Sequence, residues 1–558
     1  MKDVQAAIQA SVSALYATEI RVELTRPDVQ FGDYSTNVAL QLAKKLNVNP
    51  REIAEHISER LLKDAGLLVQ RAEIAGPGFI NVWIHDKVII DQLPHTIEIP
   101  SSLSNKQVVV EYSDPNPFKV LHAGHLYTSV VGDAIANLLQ AAGATVYRVN
   151  FGGDVGLHVG KTMWAVLHKL GSEKVEALQA IPEADFVDWM SDAYVEGTAA
   201  YEDDEQAKQV IIDLNKRIYT IHKENDQTSD LAKIYWHCRS WFYDVYFKSF
   251  YDTIGTHFDK YYPESVVAEL GAQTVRKHIG PGVFEESDGA IVFKGEPYGL
   301  HTRVFINQQG LPTYEAKDVG LIFTKKQDFD FDLSVVITGN EQEQYMAVVL
   351  KAIEQFVPEL TQATKHLTHG MVKLQGGQKM SSRKGNVLRA VDVLEAASQA
   401  NKNATGKTDK NVELGAVKYA FLKVRTGGDI IYSPEESVSL EGNSGPYLQY
   451  AHARARSILA KAKEQDRSGL DSLKPGERLL AVKLLEYPDV VTRAIEELMP
   501  HLVCTYLYEA AQVFNRFYEQ NRVIDDPREA ERLQLVASYA DVLKAGLSLL
   551  GIHAPDSM

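Results

Sequence analysis

Cysteine is nearly absent: Cys238 and Cys504 are the only two in 558 residues. That excludes a disulfide-framed fold and a CxxC zinc site. Long apolar runs are missing, so no stretch reads as a membrane span. The N-terminal MKDVQAAIQASVSALY is broken by glutamines and lacks the apolar core of a secretory signal. Positive net charge is lacking as well, with 58 Lys+Arg against 74 Asp+Glu and a balance of −16. A bulk nucleic-acid binder would be basic, so any phosphate contact must come from local basic patches on an acidic body. Repeats and low-complexity tracts are also missing. The expectation is a soluble, cytoplasmic protein of ordinary globular composition, 45% hydrophobic and 24% charged, long enough for three or so domains.

What is present centres on Lys106 to Asn137. Val108, Val109 and Val110 form a short β-branched run typical of a buried parallel strand. Asp114-Pro115-Asn116-Pro117 then bars continuation of strand or helix. After His122-Ala123-Gly124-His125, the residues Leu126, Val130, Ile135 and Leu138 read as a helix packed on a sheet. Strand, tight loop and helix together place a phosphate at a helix N-terminus, where free N–H groups and the dipole favour anions. The same histidines also fit a helix cap or half a metal site, but no further ligands adjoin them. Far downstream, Gln378 to Asn386 (QKMSSRKGN) is a loop with three cations, Lys379, Arg383 and Lys384. Alone it also fits a solvated basic turn.

Together, HxGH and the KMSxx loop resemble the paired signatures of class I aminoacyl-tRNA synthetases. Within that class the phrase Pro115, Asn116, Lys119, His122, Gly124, His125 resembles arginyl-tRNA synthetases, and the likeness runs through most of the chain. It implies a multidomain α/β fold: a doubly wound, Rossmann-like parallel-sheet catalytic domain, a small N-terminal α/β domain and an all-α C-terminal anticodon-binding domain. It implies activation of L-arginine by ATP, with Mg2+ accompanying the nucleotide and no structural zinc, and transfer to the 3′ end of tRNA(Arg). Lys119, His122, His125, Lys379 and Ser381 are then the catalytic candidates. His122, Gly124, His125, Met371, Val372 and Lys379 are those for ATP, Met371 and Val372 bordering adenine. The general KMSKS signature has a second lysine where this chain has Ser382, and Lys119 stands where the family is thought to substitute for it.

For a guanidinium, a planar cation with five donors, the likeness assigns Glu111, Asn116, Glu264, Tyr314, Asp318 and Gln342. Tyr314 and Asp318, four apart, share a helix face. Singly, each has an ordinary reading: Asp318 a surface charge, Gln342 a cap, Glu264 an exposed acid. A site that pairs every guanidinium donor rejects lysine without editing, because lysine leaves buried acceptors unpaired.

Domain limits are expected at 1–100, 101–400 with a helical insertion at about 161–255, and 401–558. In the first, 2–16 and 37–65 have helical spacing, and Ala72 to Ile84 reads as two strands broken by Gly-Pro-Gly. Phe31-Gly-Asp-Tyr-Ser-Thr-Asn37 joins its halves. The resemblance gives Phe79 and Asn81 to the tRNA D-loop, an aromatic to stack and an amide to read a base edge; a core aromatic and a strand-end polar residue fit as well. Thr145 to Asn150, Ser334 to Ile337 and Gly370 to Leu374 read as further sheet strands. Near the C-terminus, Tyr447, Tyr450 and Arg454 are expected at the anticodon, with at least one tyrosine in the core, since aromatics at helical spacing usually pack inward. Short linkers near 95–105 and 400–412 suggest one packed body and a monomer. The rival readings are a class I synthetase for glutamate or cysteine, and an inactive tRNA-binding paralogue.

Overall fold

The computed structural model describes residues 2–280, 282–375, 388–462 and 472–558. Its centre is a five-stranded sheet, parallel throughout, in the order Thr364–His369, Leu333–Gly339, Gln107–Glu111, Thr145–Gly152, Lys260–Pro263. The chain lays down the middle strand first, builds to one side, then returns to the other. The topological switch point therefore falls between Gln107–Glu111 and Leu333–Gly339, where doubly wound sheets bind ligands at their strand C-termini. Val108, Val109 and Val110 are buried on both faces, as their β-branched run required.

Helix Ala123–Ala141 follows the first strand and is buried along most of its length. The expected insertion is helical, from Leu157–Leu170 through Lys248–Ile254, with one π turn at Phe242–Phe247. In the N-terminal part, a three-stranded antiparallel sheet (Tyr34–Thr36, Phe79–Ile84, Val69–Ala75) packs with helices Lys2–Tyr16, Val38–Leu46 and Pro50–Asp64. Beyond residue 433 the described chain is helical, ending with Glu529–Leu549.

Three expectations need correction. The helical stretch 37–65 is two helices, because Asn47 turns left-handed (φ 55°), Asn49 caps Arg51 and Pro50 starts a new first turn. Gly370 to Leu374 does not join the main sheet. Its strand, Val372–Leu374, pairs with Ile430–Tyr432, and the sheet's edge is Thr364–His369. Residues 400–412 are not a linker: helix Ala390–Thr405 runs across the expected boundary and the next starts at Lys410. A small antiparallel sheet, Glu285–Ser287, Ala290–Phe293 and Arg303–Ile306, was not anticipated. Its signal was Asp288-Gly289, both at positive φ (48° and 78°), the dipeptide that hairpin turns favour.

Candidate functional site

His122 is the N-cap of helix Ala123–Ala141, and its Nδ1 accepts the Gly124 N–H at 3.1 Å. The His125 Nδ1 accepts the His122 N–H, also at 3.1 Å. With both Nδ1 atoms accepting, each neutral ring carries its proton on Nε2. Burial, with Lys119 nearby, lowers both pKa values, His122 to about 3, so the rings are uncharged donors at neutral pH. Gly124 is required here: a Cβ would lie 2.8 Å from the His122 ring.

The loop before the helix is held in uncommon backbone. Ser113 (φ 76°), Asp114 (φ 42°) and Phe118 (φ 76°) all sit in the left-handed region, strain typical of a functional loop. Contacts at both of its ends hold it. The Asp114 carboxylate accepts the Phe151 N–H at 2.8 Å, and buried Phe118 stacks on Tyr235 of the insertion. Lys119 is half-buried, its ammonium 5.2 Å from the Tyr194 ring centre, and desolvation lowers its pKa.

The chain just beyond the basic stretch returns to HxGH. Ala123 N–H bonds the Leu388 carbonyl and Ala390 N–H bonds the Leu121 carbonyl, both at 2.9 Å. On the near side, the Gln375 N–H bonds the Tyr432 carbonyl. Lys379, Ser381, Ser382, Arg383 and Lys384 lie outside the described residues. Met371 is exposed, but its N–H goes to Asp429 and its carbonyl to Ile430 N–H. Only its side chain is free to face a ligand. Val372 is buried in its strand.

The acidic set gathers around the same strand ends, with counter-ions that sequence reading missed. Glu111, closing the middle strand, is ion-paired with fully buried Lys325. Glu264, first residue of its helix, is buried rather than exposed and lies 2.5 Å from Lys317. Burial lifts its carboxyl to about 7 against the pull of that ammonium. Asp318 is buried too, not a surface charge. It accepts the Tyr345 hydroxyl, and burial, with Glu111 and Glu264 adding repulsion, raises it to about 8. Tyr314, on the same helix, is 48% exposed, and its hydroxyl donates to His158 Nδ1 at 2.9 Å. That bond is fixed because His158 Nε2 donates to the Gly153 carbonyl at 2.8 Å. A Cβ at Gly153 would overlap the Asn116 amide oxygen, so that glycine lets Asn116 lie over the strand end. Gln342 is exposed in the turn Asn340–Gln342. The family resemblance picked out these acids; their lysine partners had no local signal in the sequence.

The outlying candidates divide. Phe79 opens its strand 40% exposed, while Asn81 is buried two residues on. Tyr447 is half-buried and accepts an Asn515 amide N–H at 2.8 Å, so it is the tyrosine that packs inward. Tyr450 is exposed, and the Arg454 guanidinium lies 4.6 Å from the Tyr518 ring centre.

Three comparisons bear on this geometry. Residues 89–432 match the family described as tRNA synthetases class I (R), catalytic domain. Residues 2–84 match the arginyl tRNA synthetase N terminal domain, and 448–558 the DALR anticodon binding domain. An arginine–tRNA ligase of Treponema denticola is 30% identical, over 95% of this chain and 94% of that one. Its counterpart in Lactobacillus delbrueckii subsp. bulgaricus is 30% identical over 99% and 98%. The solved arginyl-tRNA synthetase of Thermus thermophilus superposes with a TM-score of 0.80 at 26% identity, covering 100% of both chains.

Proposed function

This chain belongs to the class I arginyl-tRNA synthetase family, and from that premise we propose how its own residues carry the reaction. The enzyme activates L-arginine with ATP, giving arginyl-adenylate and pyrophosphate, and transfers arginine to the 3′ end of tRNA(Arg). The substrate carboxylate attacks the α-phosphorus; later the terminal ribose hydroxyl attacks the acyl carbon. Neither step needs a covalent enzyme intermediate. The protein's work is alignment and stabilisation of charge growing on phosphate oxygens.

In this reading His122 and His125 donate their Nε2–H groups to the ATP phosphates, above a helix N-terminus that favours the same anion. Gly124 leaves room for the His122 ring and the nucleoside. Lys119 supplies the cation that Ser382 cannot. Lys379 and Ser381 close the basic loop over departing pyrophosphate. The side chain of Met371 and the strand at Val372 border adenine. Asn116, Glu264, Tyr314, Asp318, Gln342 and, through Lys325, Glu111 shape the guanidinium site. The N-terminal domain (1–100) meets the D-loop through Phe79, with Asn81 supporting the strand behind it. The C-terminal domain (401–558) meets the anticodon through Tyr450 and Arg454, with Tyr447 bracing them. Among the described residues no three potential ligands cluster to hold a metal, so Mg2+ in this proposal travels on the phosphates and no side chain is assigned to it. We also propose a monomer acting in the cytoplasm; among the described residues no helix is long and apolar enough to cross a membrane.

The observation carrying the assignment is the pair of backbone bonds joining Leu388–Ala390 to Leu121–Ala123, which support bringing both ATP signatures to one phosphate. The test is ATP–pyrophosphate exchange with arginine, with and without tRNA(Arg), using lysine and glutamate as controls. Exchange with arginine only in the presence of tRNA is the expected result. Exchange with arginine alone removes the tRNA requirement, and exchange with lysine or glutamate overturns the guanidinium site.

A further inference from the structure

The segment Phe31 to Asn37 has a role that catalysis does not explain. Its Asp33 is buried, and both carboxylate oxygens accept from the Arg478 guanidinium of helix Pro475–Leu484, at 2.8 and 2.9 Å. The same guanidinium bonds the Ile84 carbonyl at 2.9 Å and Asp86 at 3.0 Å. Asp86 in turn accepts the Leu473 N–H at 3.2 Å. A second arginine crosses the other way. Arg26 reaches the Leu485 carbonyl at 3.1 Å and Asp489 at 3.3 Å, its guanidinium 4.7 Å from the Tyr34 ring centre. Two arginines from opposite partners thus interlock the N-terminal domain with the C-terminal helices. Bidentate forks of this kind fix angle as well as distance.

The receiving helix is itself immobilised. Glu477, beside Arg478 and fully buried, takes Arg528 at 2.7 and 3.0 Å and Arg532 at 3.0 Å. On the other side, Asp33 also accepts the Ile84 N–H at 2.8 Å. Both backbone groups of Ile84 are therefore held at the lock. Ile84 ends strand Phe79–Ile84, and exposed Phe79 begins it. At about 3.3 Å per residue the strand is a beam of about 17 Å, so a tilt of about 10° at Ile84 moves Phe79 by about 3 Å. That displacement is enough to lose a stacking contact.

We infer that Asp33 and Arg478 are positioning residues for tRNA: their lock sets the bearing of strand Phe79–Ile84 on the C-terminal helices, so Phe79 and Tyr450 engage one tRNA at a fixed spacing. The inference rests on the proposed contact of Phe79 with tRNA. Arg478 touches neither arginine nor ATP in this scheme, so a loose lock costs tRNA affinity and not activation chemistry.

Steady-state aminoacylation by the full chain tests it, with Phe79→Ala, Arg478→Ala and the double variant. Arg478→Ala should raise the tRNA KM about tenfold while the KM values for arginine and ATP stay at wild type, a split that general destabilisation would not produce. Phe79→Ala should raise the tRNA KM comparably, and the double variant should be no worse than the more severe single. If Arg478→Ala fails to fold, Asp33→Asn replaces it, because the amide oxygen still accepts the Ile84 N–H. Should Phe79→Ala leave the tRNA KM unchanged, the contact reading falls and takes the inference with it. A raised KM in Phe79→Ala, together with an unchanged one in the lock variant or full additivity in the double, overturns the lock alone.

Discussion

The Lys317 ammonium lies 2.5 Å from the Glu264 carboxylate, with both side chains buried. An acid expected to meet the substrate's guanidinium already has a cation, and Glu111 has another in Lys325. Asp318 is different: its partner is the neutral Tyr345 hydroxyl. It is the carboxyl of the three with no ammonium partner, free to ionise when a guanidinium arrives.

Arginine binding should therefore release a proton. Asp318 faces Glu111, Glu264, Lys325 and Tyr345, and with its pKa raised to about 8 it is mostly protonated at pH 7 in the free enzyme. A guanidinium favours the ionised form. Arginine affinity should rise as pH goes from 6 to 8 and level off above that. In the unliganded protein the sign is opposite. The group favours folding below its ordinary pKa of about 3.9, and stability falls as pH climbs toward 8. Calorimetry in buffers of different ionisation enthalpy measures the proton directly. Asp318→Asn should reduce the release to what Glu264, raised to about 7, contributes, and raise the arginine KM at least about tenfold.

Lys119→Ala should lower the activation rate by about tenfold to a hundredfold, with the arginine KM changed less than about twofold, because its charge is offered to phosphate and not to the guanidinium. Pyrophosphate exchange at saturating tRNA separates the two constants. Equal kcat and KM for variant and wild type would remove Lys119 from the mechanism.

Gly124→Ala puts a methyl 2.8 Å from the His122 ring. The ring must swing away, breaking its bond from the Gly124 N–H and misdirecting one phosphate donor. The expected loss is about a hundredfold in the activation rate with a raised KM for ATP, in line with removal of one preorganised donor. Folding, followed by thermal melting, should lose about 1 kcal/mol, the cost of one side-chain cap bond, while the bond from the His122 N–H to His125 Nδ1 remains.

Glu477→Gln should be the most destabilising of these changes, by about 1–2 kcal/mol, because it replaces charge-assisted bonds from Arg528 and Arg532 by neutral ones while Glu531 and Asp526 still pair with the two arginines. Burial pushes the Glu477 carboxyl up, but Arg528 and Arg532 outweigh it and hold it below its ordinary range. Its contribution is present above pH about 4.3 and lost as pH falls through the folded value. Urea titration at pH 7 and at pH 4 reads both effects.

Local sequence was enough for the elements that local forces build. The β-branched run at Val108–Val110 has one stable home, the core of a parallel sheet, and HxGH declares the helix start that it caps. The break at Asn47-Pro50 was equally local, written in a left-handed asparagine and a first-turn proline, but the apolar spacing on either side masked it. The terminal helices were legible for the same reason, since period and spacing are properties of neighbours; the acids at the strand ends were picked out only through the family resemblance.

What only tertiary structure decided is who meets whom across the chain. Lys325 reaches Glu111 from 214 residues away and Arg478 reaches Asp33 from 445. No period or cap encodes such a pairing. A buried carboxylate needs a counter-charge or a proton, yet that need says nothing about which of 58 cationic residues supplies it. The sheet's true edge at Thr364–His369, the return of Leu388–Ala390 to HxGH and the lock at Asp33 are all of this kind. Sequence set the local conformations and the chemistry on offer; packing chose the partners, because burial is a property of the whole fold.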